Sequence, residues 1–343
     1  MVVDDEAIRR APRLCFFAHY HPLGIVAEHV RLHLRALASA GFAVVVLSTA
    51  TMSDEAQAEL AAECSLLIMR DNVGLDFEGW GSAVRRFFPI NAELLLFAND
   101  SVYAPVGDLT SFIANLTAVP ADFYGAIESF EWGPHLQSWF LLFRPSAYRS
   151  EAFTELFASS IPADMSKLEI IKIYEVGLTG RLAAAGLTYH AAYSQARQGL
   201  LVKQDSLNAG HLLWRELIEG GELPFLKIQL LRDNPARIGN IAEWPAVVGA
   251  RNAALRDAIA ADLAVRGAES GVGARHKWRS TLSESNPFLW PELQGFVRRD
   301  FARSQPGLGH RVNRLVYRIA VRIARRARNL ARPWELPAPP HIW

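Results

Sequence analysis

The sequence predicts an α/β protein: a mostly parallel sheet flanked by helices, with a C-terminal helical extension. Three observations carry this. The segments 13–18 (RLCFFA), 43–49 (AVVVLST) and 65–70 (SLLIMR) are continuously apolar, the pattern of strands buried on both faces. Helix-like segments alternate with them, which is the order of a parallel sheet wound with crossover helices. A fourth apolar run, LLLFA at 94–98, passes directly into Asn99-Asp100-Ser101, and acid at the carboxyl end of an apolar strand is where open α/β sheets hold ligands.

In chain order, residues 25–40 predict a helix with Ile25, Val26, Val30, Leu34 and Leu37 on one face, ended by Gly41. A second helix starts at Ser53 or Asp54, both favourable caps, and runs to about Ala62. The stretch DNVGLDFEGWG at 71–81 reads as a glycine-rich turn opening a helix, with Asp76 open to a capping role. Segments 123–129 and 136–143 read as further strands. Helices are expected at about 151–159, 166–173 and 175–185, so that Glu175 precedes or opens the last of these and Gly186 ends it.

The 343 residues suggest two domains, or one domain with an appendage, and half of them are hydrophobic. No apolar run reaches the roughly 18 residues needed to span a bilayer. The opening MVVDDEAIRRAPR carries acids and no secretory h-region, which places the expected localisation in the cytoplasm. Cys15 and Cys64 form neither a zinc pattern nor a disulfide framework and read as small buried hydrophobes. A boundary is expected after Asn234-Pro235, giving a domain over 1–235 (halves at about 13–110 and 111–235), an extension over 236–308 with a helix at about 250–266, and a tail over 309–343.

Charge is uneven. Residues 301–334 hold nine arginines and no acid, while the rest of the chain carries 27 basic against 35 acidic residues. On a helix the arginines 311, 314, 318, 322, 325 and 332 oppose an apolar stripe of Val312, Val316, Ile319, Ile323, Ala327 and Leu330. A basic amphipathic segment of this kind at 309–332 suits an anionic membrane surface. Nucleic acid is the competing and less favoured partner, and docking on the acidic body is the third reading.

Several residues are candidates for chemistry. A G-x-G-x-x-G fingerprint is absent after the first strand, which argues against a nicotinamide or flavin oxidoreductase. His19 and His21 follow that strand, either as ordinary hydrogen-bonded histidines or as metal ligands. Asn72, Gly74 and Asp76 in one loop and Asn99, Asp100 and Ser101 in the next would face a common crevice, suited to a nucleotide diphosphate and its divalent cation. Glu175 is either a base at a helix start or a capping residue. His135, Gln137 and Trp139 alternate and would share a strand face, as sugar contacts or as a buried hydrogen-bonded cluster. Lys227, Arg232 and Asp233 read as surface pairs or as reaching a diphosphate.

The ordered set NVGLDFEGWGSA, LLLFANDSVYAP, DFYGAIES, HLQSWFLLF, YEVGLTGRLAAAG and PFLKIQLLRDNP resembles the rhamnan synthesis protein F family of bacterial polysaccharide glycosyltransferases, over about 72–235 and more weakly over 13–49. The resemblance implies a GT-A-like, Rossmann-type fold and transfer of a sugar, rhamnose among the candidates, from a nucleotide-diphosphate donor to a polysaccharide or lipid-linked glycan. It places Asn72, Gly74 and Asp76 in the donor loop, Asn99-Asp100-Ser101 at the D-x-D position with Asp100 holding Mg²⁺ or Mn²⁺, and Glu175 as acceptor base. It also brings His135, Gln137 and Trp139 to the acceptor. Asn99-Asp100-Ser101 departs from the pattern in having one carboxylate where D-x-D has two. The rival reading is a catalytically silent glycan-binding or assembly subunit with the same fold.

Overall fold

The computed structural model describes residues 5–129, 133–194, 208–234, 238 and 240–269. The arginine-rich segment 309–332, and with it the expectation of an amphipathic helix there, lies outside the described residues.

The apolar runs form the strands they predict: β1 (Arg13–His19), β2 (Ala43–Ser48), β3 (Leu66–Met69) and β4 (Leu94–Asn99). After β5 (Val102–Tyr103) come β6 (Phe123–Ser129), β7 (His135–Leu136), β8 (Phe140–Phe143), β9 (Tyr189–Ser194) and β10 (Leu226–Lys227). The main sheet has eight strands. β3, β2, β1 and β4 run parallel in that order, β8 joins β4 and β6 antiparallel to both, and β9 pairs parallel with the far edge of β6. The architecture is the expected mixed α/β sheet between helical layers. β5 and β10 make a separate antiparallel ribbon.

Period-two alternation divides each strand between two cores. Cys15, Phe17, Val44, Val46 and Leu96 pack under the helices Glu28–Ser39 and Leu109–Ala118. Leu14, Phe16, Val45, Leu47, Leu95 and Phe97 pack on the other side, against the helix Leu75–Phe87 and the helices that follow β8. Phe97 is the hub there, with Trp80 stacked at 5.2 Å and Phe143 edge-on at 5.1 Å. Full burial of each such side chain contributes about 1.5–3 kcal/mol. Burial on both faces is what holds the carboxyl ends of β1 and β4 rigidly side by side.

Four expectations need correcting. The helix after β1 begins at Glu28, and Ile25 stands outside it, 40% exposed. The segment 136–143 is not one strand: β7 and β8 lie on the same edge of β6 in different registers, with Gln137–Trp139 bulged out between them. Trp139 and Phe140, adjacent in sequence, consequently pack into the same core, which an unbroken strand's alternation forbids. Residues 167–184 form one continuous helical run, α over Lys167–Ile170, π over Ile171–Val176 and α again over Gly177–Ala184, so Glu175 does not open a helix. Fourth, the turn at 71–74 is capped by Gly74 in the left-handed conformation (φ 67°), not by Asp76. A Cβ on Gly74 would lie 2.5 Å from Glu78 Cβ, so glycine is required there on two counts.

A third core gathers Tyr103, Trp214, Ile228, Leu230, Val248, Leu255 and Ile259. Through it the helix Ala253–Glu269 packs beside Glu28–Ser39 and reaches the carboxyl end of β1.

Candidate active site

The crevice opens where β1 and β4 end. Asp100 follows β4 directly; its N–H donates to Ala18 O at 3.2 Å and its Oδ2 accepts the Tyr20 N–H at 2.7 Å, so backbone from both strands fixes the carboxylate. Asn99 closes the turn on itself, its Oδ1 accepting from Ser101 N (3.1 Å) and Ser101 Oγ (2.5 Å). Its Nδ2 donates to Asp76 Oδ2 at 2.7 Å, which ties the β4 turn to the first turn of the helix Leu75–Phe87. The two loops expected to face one another therefore do. Asn72 lies exposed at the rim.

Glu175 comes to the same place from the acceptor half. Its Oε1 accepts the Ser138 N–H at 3.2 Å, fixing it to the β7–β8 bulge, and Oε2 has no partner among the described residues. The π turn around it is closed by Gly177 N–H donating to Lys172 O, and single π turns in α-helices often mark functional sites. Asp76 is raised above the ordinary carboxylate range by burial, against which the Asn99 hydrogen bond works, and the field of Glu175 raises it further. Burial pushes Asp100 up to about 7, opposed by the Tyr20 N–H and reinforced by Asp76. The three carboxylates are thus linked in series, Glu175 disfavouring the charged form of Asp76 and Asp76 that of Asp100.

The residues expected to present a sugar platform do something else. His135, Gln137 and Trp139 are each about 95% buried and do not share a strand face. His135 Nδ1 meets Gly133 O at 2.9 Å, and Trp139 Nε1 donates to Gln137 Oε1 at 2.8 Å. The Trp139 ring packs on Phe225 at 5.0 Å, and Lys227 Nζ sits 5.8 Å over it. The buried hydrogen-bonded cluster is therefore the structure's choice between the two readings. Arg232 and Asp233 pair with each other, at 2.7 and 2.9 Å.

A group missed in the sequence borders Asp100. Asp262, on the helix Ala253–Glu269, accepts from Tyr103 OH at 2.7 Å and from Arg266 Nε at 2.9 Å, with His21 and His29 each 3.8 Å away. Burial alone would raise Asp262, but these partners hold it well below the usual carboxylate range. Burial pushes His19 and His29 down to about 4, so both imidazoles are neutral at pH 7. A signal was present: His29 and His33, and again Asp262 and Arg266, stand four apart on otherwise apolar helix faces, the spacing that brings side chains together.

The divalent cation expected at Asp100 would have one protein carboxylate as its ligand. Among the described residues no three carboxylate, histidine or cysteine side chains are grouped to hold a metal, and the histidines at 19 and 21 make no such set. Asp100 offers a single carboxylate with one oxygen already bonded to Tyr20 N–H. By themselves these residues do not enclose a cation, and one bound at Asp100 would need diphosphate oxygens and water to complete its shell.

The chain matches the family described as rhamnan synthesis protein F over residues 44–243. It is 28% identical over 181 residues to the uncharacterized protein y4gN of Sinorhizobium fredii, covering 51% of this chain and 47% of that protein. It is 27% identical over 208 residues to the virulence protein VirA of Vibrio anguillarum, covering 52% and 66% respectively. The chain thus spans about half of one relative's length and just under two thirds of the other's. Solved structures resembling it include the glycosyltransferase GlyE of Streptococcus pneumoniae TIGR4, at 14% identity over 74% of this chain and 64% of that one with a TM-score of 0.37. S. aureus TarS follows at 13% identity, 73% and 50% coverage and a TM-score of 0.34. Likenesses of that size carry no argument about chemistry, whereas the family match takes in β3 through β10 and with them Asp76, Asp100 and Glu175 themselves. The chain belongs to the rhamnan synthesis protein F family.

Proposed function

We propose that the chain is a glycosyltransferase using a nucleotide-diphosphate sugar, and that the crevice between the β4 turn and the π turn is its active site. The observation that supports this most is the convergence of Asp76, Asp100 and Glu175 from three separate elements, two on the donor half and one on the acceptor half. A polar crevice at the carboxyl ends of parallel strands suits a nucleotide, and family membership supplies the reaction class.

In this reading Asn72, Gly74 and Asp76 border the donor, and Asn99 and Ser101 hold the turn that presents Asp100 to it. The Glu175 Oε2 takes the proton from an acceptor hydroxyl. The acceptor oxygen bonds to the anomeric carbon as the bond to the diphosphate oxygen breaks, and the diphosphate leaves with the electron pair. Glu175 is suited to the base role because Ser138 fixes one oxygen and leaves the other free. Rhamnose is our proposal for the sugar and a polysaccharide or lipid-linked glycan for the acceptor, both supported by the family description alone. No helix among the described residues is long and apolar enough to cross a membrane. We place the protein at the cytoplasmic face of the membrane, held to anionic lipid by the arginines of 309–332, at about 1 kcal/mol for each basic residue near the surface.

The test is a thermal-shift screen of nucleotide-diphosphate sugars, rhamnose donors included, followed by assay of nucleotide release with glycan acceptors. A ligand at 100 times its dissociation constant adds about 2.7 kcal/mol of stability. A protein that binds glycan but is stabilised by no nucleotide sugar and releases no nucleotide would instead be a silent binding subunit.

A further inference from the structure

Arg266 is 12% exposed at its side chain, yet it uses only Nε, which donates to both oxygens of Asp262 at 2.9 Å. Its Nη1 and Nη2 meet no acceptor among the described residues. Its guanidinium lies near enough to Asp100, His19 and His29 for its field to act on all three. Around it, His19 Nε2, His21 Nε2 and both ring nitrogens of His29 are buried without a hydrogen-bond partner. The terminal nitrogens are not themselves buried, so solvent reaches them and an anion can take its place. The other cations near the carboxylates are differently placed. Arg70 spends its terminal nitrogens on the carbonyls of Val73 and Leu75, and Lys167 is exposed.

We propose that Arg266 binds the diphosphate of the donor, its terminal nitrogens taking phosphate oxygens while Nε stays anchored on Asp262. The proposal rests on the reading of the crevice as a nucleotide-sugar site and deepens it. A diphosphate entering among three carboxylates needs a countercharge, and the donor set around Asp100 does not hold a resident metal. A guanidinium pinned by Asp262, itself gripped by Tyr103, is a countercharge built into the chain. Its planar fork matches phosphate, and it neutralises the charge that grows on the leaving diphosphate as the glycosidic bond breaks. The helix Ala253–Glu269 thereby becomes part of the donor site although it follows the family match, which ends at residue 243.

The experiment is calorimetric titration of the full chain with sodium pyrophosphate in EDTA. Wild type should bind, and Arg266→Met should bind at least tenfold more weakly while still folding, its unliganded Tm lowered because buried Asp262 loses one of its partners. Because that substitution strips Asp262 of its partner, Arg266→Lys is the second variant; it keeps the charge, loses the fork, and should bind several-fold more weakly. Wild-type affinity in either folded variant, or binding by wild type only when Mg²⁺ replaces EDTA, overturns the proposal. The two readings fail separately. Pyrophosphate binding through Arg266 without turnover of any nucleotide sugar would remove the transferase reading and leave the anion site, whereas unimpaired sugar transfer by Arg266→Met would do the reverse.

Discussion

The two halves of the crevice are held in place by different means. On the donor side, Asp100 and Asn99 stand at the end of a strand that is buried along its whole length between two parallel or antiparallel neighbours, and their positions follow from regular structure. On the acceptor side, Glu175 and Ser138 meet through two irregularities, a π turn in a helix and a bulge in a strand, which hydrogen-bond to each other. Regular structure fixes a group that must bind in one place, and paired irregularities aim a group that must reach a second substrate. If that division holds, changes on the donor side should act first on donor binding and turnover together, and changes on the acceptor side on transfer alone.

The largest effect should come from Asp100→Asn. Asparagine Oδ1 still accepts the Tyr20 N–H, so the turn is retained, while the carboxylate that would hold a cation carried in with the diphosphate is lost. Turnover should fall by about 10³ or more, at the upper end of what single electrostatic contacts contribute in active sites. Steady-state kcat/KM with an unchanged Tm is the measurement, and full activity would remove Asp100 from the mechanism. Next is Glu175→Gln, which should lower transfer by about 10² and leave nucleotide-sugar affinity as it was. A fall in donor affinity with transfer per bound donor unchanged would place Glu175 on the structural side of the comparison.

The same division explains what could be read from the sequence. The parallel strands β1, β2 and β4 and the Asn99-Asp100-Ser101 turn were legible because continuous burial leaves a continuous apolar run. The acceptor side was not, because both of its irregularities conserve composition. Ile170, Tyr174, Leu178 and Leu182 are buried at a constant spacing of four, whereas an α-helix turns about 40° past a full turn every four residues. The wider π turn absorbs that drift and keeps the row on one face, and on paper it looks like a break between two helices. Bulging Gln137–Trp139 likewise leaves an apolar string that reads as one strand. Asp262 was hidden differently, its partners Tyr103, His21 and His29 lying more than 150 residues away, at the end of β5, just after β1 and on the helix Glu28–Ser39.

Titration should also separate the halves. Burial lowers His33 to about 3 and His19 and His29 to about 4, all on the donor side, and His211 to about 3 on the other. A histidine whose folded pKa lies below its unfolded value of about 6.5 contributes stability that is whole above that pH and is lost as pH falls toward the folded value. Asp100 acts oppositely: raised to about 7, it contributes stability that is present at low pH and lost as pH rises through 7. From pH 7 to 5 each histidine should cost about 1–2 kcal/mol and Asp100 should return about 2, for a net loss of a few kcal/mol. Urea unfolding at the two pH values measures the sum, and hydrogen exchange at pH 5 should show the helix Glu28–Ser39 losing protection first. Equal stability at both values would mean that the histidines are already charged in the fold.

The smallest effect tests whether the two acceptor-side irregularities are coupled. The Leu136 N–H, beside the bulge, donates to the Thr179 hydroxyl at 3.0 Å, just past the π turn, and both residues are buried. No Cβ would fit at Gly125, where one would come 2.9 Å from Leu136 Cβ, so β7 sits tight on β6 and has little freedom to find another acceptor. Thr179→Val keeps the shape of the side chain and leaves that N–H unpaired, which should destabilise the fold by about 1–3 kcal/mol. Because the bulge and the π turn then lose one of the bonds that hold them together, transfer should drop several-fold at saturating donor while donor affinity stays at the wild-type value. A drop in donor affinity of the same size would mean that the strain is passed across the sheet to Asp100, and the halves would have to be treated as one site. Unchanged transfer in a destabilised variant would show that Ser138 alone is enough to hold Glu175 in place.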